Sequence, residues 1–147
     1  MTISTTAHLN FPGTARAALD LYRTVFGGAV QATTYGELGA PADSPEAHLI
    51  VFGRLDTDAG AQLMAYDVPG RTEPFSGSTR RESGMTLTDQ PFFLSVRGET
   101  LDEVAGYWTS LAEGATVIEP FAASAWSPGF GMLTDRFGVT WVFDVQA

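Results

Sequence analysis

The sequence reads as an α+β fold made of two tandem β-α-β-β-β modules, and three observations lead there. The first is the terminal stretch 126–145, WSPGFGMLTDRFGVTWVFDV. Val139, Trp141, Phe143 and Val145 alternate with Thr140, Val142 and Asp144, the period of a strand with two distinct faces. FGML supplies the partner strand, and 134–138 the reversal, where Asp135 can bond its own backbone and Gly138 can take positive φ. The second observation is a pair of helical stripes of the same kind. The third is the order of elements, which repeats.

In chain order, residues 6–11 form a short apolar strand, broken at Pro12-Gly13. Thr14 then stands where a hydroxyl would cap a helix. Ala15, Ala18, Leu19, Tyr22, Val25 and Phe26 recur at three and four residues, one face of that helix. Gly27-Gly28 ends it by supplying positive φ. Strands are expected at 29–35, at 46–55 with apolar residues on both faces, and at 62–67. Between the first two of these, 36–45 has loop composition. Residues 68–90 are rich in Pro, Gly, Ser, Thr and Arg and read as a linker or lid, too long for a mere spacer.

The second half repeats the first. A strand is expected at 92–96, and Thr100-Leu101-Asp102-Glu103 is a capping box. Leu101, Val104, Ala105, Trp108, Leu111 and Ala112 form the helical stripe, and Gly114 ends it. A strand at 115–123, interrupted at Pro120, leads to the closing hairpin. Tyr22-Arg23-Thr24-Val25 lies over Trp108-Thr109-Ser110-Leu111, and Gly28-Ala29 over Gly114-Ala115, at one offset. Repeated order with matched helix exits argues for internal duplication. The modules are 6–67 and 91–147, within a single domain of 1–147.

Composition removes several function classes. Seventeen acidic against eight basic residues give a formal charge of −9, and Arg80-Arg81 is the one basic cluster, so a nucleic-acid partner is not expected. No apolar run approaches the roughly 20 residues that span a bilayer. The N-terminal residues lack a basic segment followed by an apolar core, so a cytoplasmic location is expected. Cysteine is absent, which excludes disulfides, thiol catalysis and cysteine metal sites together.

These elements carry a resemblance. LNFPGTARAALDLYRTVFGG at 9–28, TYGE at 34–37, AHLIVFGRL at 47–55, LMAYD at 63–67 and SAWSPGFGMLTDRFGVTW at 124–141 resemble the vicinal oxygen chelate superfamily, the glyoxalase and bleomycin-resistance fold. More narrowly they resemble its PhnB-like branch. The resemblance implies curved mixed sheets around a cup-shaped cavity, and a homodimer. Some relatives are labelled as ubiquinone-pathway methyltransferases. No glycine-rich nucleotide loop follows a strand here, which argues against methyl transfer from S-adenosylmethionine.

Metal-dependent members of that superfamily place His, Glu or Gln on the cavity face of the first and last strands of each module. A divalent ion held there polarises two substrate oxygens. By this alignment the positions hold His8, Met64, Phe92 or Phe93, and Val142. One ligand in four does not hold an ion, so no metal and no other cofactor is expected at the usual site. A divalent metal held by unanticipated ligands, His8 with His48, is the alternative.

His48, expected within a strand, is the acid–base candidate because imidazole exchanges protons near neutral pH. The other reading is a buried histidine held by a backbone or carboxylate partner. Asp67 matches a family position and would orient His48 or a ligand, or else form a turn. Tyr35 and Glu37 leave the second strand near the expected cavity mouth, or are a loop tyrosine and a solvated acid. Trp126, Phe130, Met132 and Trp141 offer apolar surface for a ligand wall, or for core and dimer packing. Glu119 and Asp144 are unpaired cavity-carboxylate candidates.

Three functions follow. A metal-independent small-molecule binding protein is favoured by the duplicated cavity fold, its aromatic residues and the missing metal ligands. The second is an enzyme of lyase, isomerase or dioxygenase type, using a metal or His48 and Asp67. A structural or regulatory dimer with a vestigial cavity is the third.

Overall fold

The computed structural model describes residues 3–147 and divides into two units, 1–74 and 75–147. The first unit runs β1 (Ala7–Phe11), α1 (Ala15–Phe26), β2 (Ala29–Thr34), a short 3-10 turn (Gly36–Leu38), β3 (Ile50–Asp56) and β4 (Gln62–Asp67). Its sheet has the order β1-β4-β3-β2, with β1 and β4 parallel and the other pairs antiparallel. The second unit starts with a separate hairpin, β5 (Thr79–Glu82) and β6 (Met85–Thr88). It continues as β7 (Leu94–Gly98), α2 (Leu101–Ala112), β8 (Thr116–Ala122), β9 (Phe130–Thr134) and β10 (Thr140–Val145). The sheet order β7-β10-β9-β8, with β7 and β10 parallel, reproduces the first unit. This is the duplicated β-α-β-β-β arrangement expected from the sequence.

Each helix packs on one face of its own sheet. The expected stripe of α1, from Ala15 to Phe26, is buried throughout. Beneath it lie Leu9 and Phe11 of β1, Leu63 and Ala65 of β4, and Leu55 of β3. Gly53 sits under the helix, where a Cβ would come within 2.7 Å of Leu19 Cδ1 and 2.8 Å of the Ala65 carbonyl. Gly131 holds the same place in β9, with Trp108 at 2.9 Å from such a Cβ. A glycine under each helix is a structural trace of the duplication, and its reason is close approach.

The caps divide the expectations. Thr100 accepts from the Glu103 amide at 3.3 Å, half of the expected capping box. Thr14 makes no side-chain cap bond. Instead Asp67, from the far end of β4, accepts from the Ala15 amide at 2.9 Å. A carboxylate beside the helix start suits the partial positive charge there better than a hydroxyl does. Asp135 behaves as expected in the β9–β10 turn, its Oδ1 taking the Phe137 and Val139 amides. Its Oδ2 accepts from the Trp141 indole at 2.9 Å.

Three boundaries differ from expectation. The strand expected from residue 46 starts at Ile50, and 45–48 are turn. Here amides bond locally: Glu46 to the Ser44 hydroxyl, Ala47 to the Ser44 carbonyl, and Leu49 to the Glu46 carbonyl. β7 starts at Leu94 rather than residue 92, just after Pro91. The linker 68–90 contains β5–β6, whose two-residue turn has Ser83 at φ 51 and Gly84 at φ 77. The interruption expected at Pro120 is one of register only: β8 runs on through it, with irregularities on either side of Glu119. β8 is an edge strand, where a missing amide donor is tolerated.

Candidate functional site

Strand alternation gives each sheet a second face, opposite its helix. In the first unit this face carries a row set by register: His8 beside Met64, Met64 beside Arg54, and Arg54 beside Gln31. Asn10 stands beside Tyr66, and Thr33 beside Phe52. The His8 ring meets Tyr66 edge to face at 5.4 Å, and its Nδ1 lies 3.0 Å from Asn10 Oδ1. Arg54 is paired with Asp56 at 3.1 Å, so its charge is locally balanced. The face joins aromatic surface to hydrogen-bonding groups, the mixture that holds small organic ligands.

The sequence candidates of this unit divide between the two faces. Asp67 lies on the helix side, 1% exposed, and its Oδ2 accepts from the Ile50 amide at 2.9 Å. With Oδ1 on Ala15, both oxygens hold backbone rather than orienting His48. His48 is exposed in the 45–48 turn, neither in a strand nor buried as one reading had it. His8 is on the opposite face from Asp67. Tyr35 opens the 3-10 turn, and its hydroxyl donates to the Asp67 carbonyl at 2.8 Å. Burial first, then Tyr66 and Asp67, raise its phenol above the ordinary tyrosine value. Glu37 folds back onto the Thr34 amide and hydroxyl, each at 3.1 Å.

In the second unit the equivalent row is Ser95, Val142, Met132 and Glu119. Ser95, not Phe92 or Phe93, stands beside Val142, because β7 begins two residues later than expected. Here the face is occupied by β5–β6. Arg81 reaches Glu119 at 3.1 Å and lies 5.1 Å above the Phe130 ring. The Thr86 hydroxyl meets Met132 Sδ at 3.7 Å. Of the ligand-wall candidates, Met132 is buried beneath the hairpin and Trp126 is 55% exposed. Trp126 and Phe130 pack edge to face at 5.3 Å. Trp141 belongs to the helix-side core. The latch residue Arg81 escaped the sequence reading. Its signal was TRRE-SG-MTLT, two alternating runs around a Ser-Gly turn.

The donor set can be tested against a divalent ion. The first- and last-strand pairs are His8 with Met64, and Ser95 with Val142. Among the described residues no three His, Cys, Asp or Glu side chains come together as a metal site. A lone imidazole beside a thioether does not suit a hard divalent cation, which prefers several nitrogen or oxygen donors. The residues at the usual position do not fit the ion.

Fold and faces define a class. A family model of the glyoxalase/bleomycin resistance protein/dioxygenase superfamily matches residues 7–143, and the chain belongs to that superfamily. Among solved structures, a Pseudomonas aeruginosa protein shares 28% identity at a TM-score of 0.78, covering 99% of this chain and 98% of that one. A Bacillus cereus PhnB protein matches at 21% identity and TM-score 0.73, covering 97% and 99%. A glyoxalase/bleomycin resistance protein/dioxygenase domain from Frankia shares this fold at 11% identity and TM-score 0.63, covering 100% and 99%. No curated protein matches the chain. Among the described residues no helix is long and apolar enough to cross a membrane.

Proposed function

We propose that this chain is a metal-independent small-molecule binding protein that works as a cytoplasmic homodimer. One observation carries the reading. Where metal-dependent relatives are expected to hold their ion, the paired positions are His8–Met64 and Ser95–Val142. The surrounding residues suit an organic ligand. Tyr66 and Phe52 offer ring surface, and His8 and Asn10 offer an imidazole and an amide. Tyr35 supports the end of β4 through its bond to Asp67. In the second unit Phe130 and Trp126 are the corresponding rings, with the β5–β6 hairpin over Phe130 and Met132.

The test is a thermal-shift screen of small aromatic metabolites in EDTA, with calorimetry on each hit. Saturable binding near one per subunit, without turnover and weakened by His8→Ala and Tyr66→Ala, is the expected result. Ligands that bind only after nickel, zinc or manganese is added would overturn it.

A further inference from the structure

The β5–β6 hairpin meets the sheet of its unit through polar side chains. A two-stranded hairpin is marginal by itself in water, so its contacts with the sheet must hold it. The residues it turns toward the sheet are Arg81 and Thr86, register partners, with Thr79 and Thr88 bonded to each other at 2.8 Å alongside. Met85, 59% exposed, stands among the alternate residues, with the exposed pair Arg80–Glu82 and a half-buried Leu87. An ordinary docked hairpin buries its apolar side. This one is attached through a cation.

Arg81 is held as a ligand would be. Its guanidinium lies 5.1 Å above the Phe130 ring, and Nε donates to Glu119 Oε1 at 3.1 Å. Nη1 donates to the Thr86 hydroxyl at 3.0 Å, a bond inside the hairpin. Trp126 buttresses the edge of Phe130. Asp144, the register neighbour of Phe130 on the same face, adds a second carboxylate, paired with Arg97 at 3.6 Å. An aromatic face flanked by carboxylates recognises guanidinium and alkylammonium groups. The Arg81 side chain is 14% exposed and Glu119 37% exposed, so the pair is reached by water from its carboxylate side.

We propose that this face of the second unit is a cation site, filled in the free protein by Arg81, and that a ligand guanidinium or alkylammonium group enters by displacing the hairpin. The proposal rests on the reading of the chain as a small-molecule binding protein and names a ligand class for it. Competition with Arg81 lowers apparent affinity by the fraction of molecules in which the hairpin is open.

Hydrogen exchange of the wild-type chain with N-ethylguanidinium, against neutral N-ethylurea, tests it. Amides of 79–88 should exchange faster as ethylguanidinium saturates, with ethylurea inert and β1–β4 amides unchanged. Arg81→Gln should expose those amides without ligand and tighten ethylguanidinium binding about tenfold or more, as removal of a competing closed state does. Adding Glu119→Gln should abolish that gain. If Arg81→Gln does not fold, Glu119→Gln alone should free the hairpin and weaken ethylguanidinium binding. Hairpin amides indifferent to ethylguanidinium, with Arg81→Gln binding it no more tightly than wild type, would overturn the cation site. That outcome leaves the aromatic-ligand screen and its His8 and Tyr66 variants to be judged separately.

Discussion

Asp67 does at residue scale what the sequence assigned to Thr14, and holds a second amide besides. It caps α1 in place of Thr14 and fixes the start of β3 through Ile50. Asp67→Ala leaves two buried amide donors unpaired and should cost about 2–6 kcal/mol in urea unfolding, since each orphaned donor costs about 1–3. Thr14→Ala should stay within about 0.5 kcal/mol, as expected of a residue that makes no cap bond. A catalytic Asp67 would give the reverse pattern, activity lost with stability kept. Tyr35 supplies the pH-dependent term. Its folded-state pKa is raised, so the folded chain keeps the phenol proton after the unfolded chain has lost it. Its contribution is complete below the ordinary tyrosine value and falls as pH rises through the higher folded value. Thermal midpoints should therefore drop more steeply at alkaline pH in wild type than in Tyr35→Phe. Equal slopes would contradict the assignment. None of these ties was legible in sequence, because Asp67 meets residues 52 and 17 positions away.

At the scale of elements, periodicity and glycines were informative, whereas non-local bonds and local turns were not. Both helices were legible because their apolar stripes must face a sheet. The β9–β10 turn was legible because Asp135 and Gly138 act within a few residues of each other. The start of β3 was not. Its 46–49 segment has strand-like composition, but Ser44 and Glu46 divert its amides into turns. The hairpin β5–β6 was concealed by its own polarity, since its sheet-facing side is Thr and Arg rather than apolar. Gly53 makes the element-scale prediction. Gly53→Ala places a methyl against the Ala65 carbonyl and Leu19, so β3 and α1 must separate slightly. Overpacking of this kind should cost about 1–3 kcal/mol in chemical denaturation. A neutral result would mean that the helix is not pressed on the strand.

For the whole molecule, duplication explains both what is shared and what differs. Each module sets a first strand in parallel beside its last, and so offers one two-strand position facing away from its helix. The first module leaves His8 and Met64 there beside aromatic side chains, while the second places a hairpin over Phe130 and Met132. The fold supplies the position, and the side chains decide the chemistry. A homodimer is the expected assembly, and sedimentation velocity should give twice the mass of 15.7 kDa. A monomer at micromolar concentration would remove the dimer from the proposal without touching the sites.

The proposed binding of an organic molecule at these positions needs no ion. Its most direct test is the metal content of untagged protein purified without chelator, by elemental mass spectrometry. Nickel, zinc, iron and manganese should together lie far below one per subunit. Near-stoichiometric metal that disappears in His8→Ala would contradict the claim and return the chain to metal-assisted catalysis.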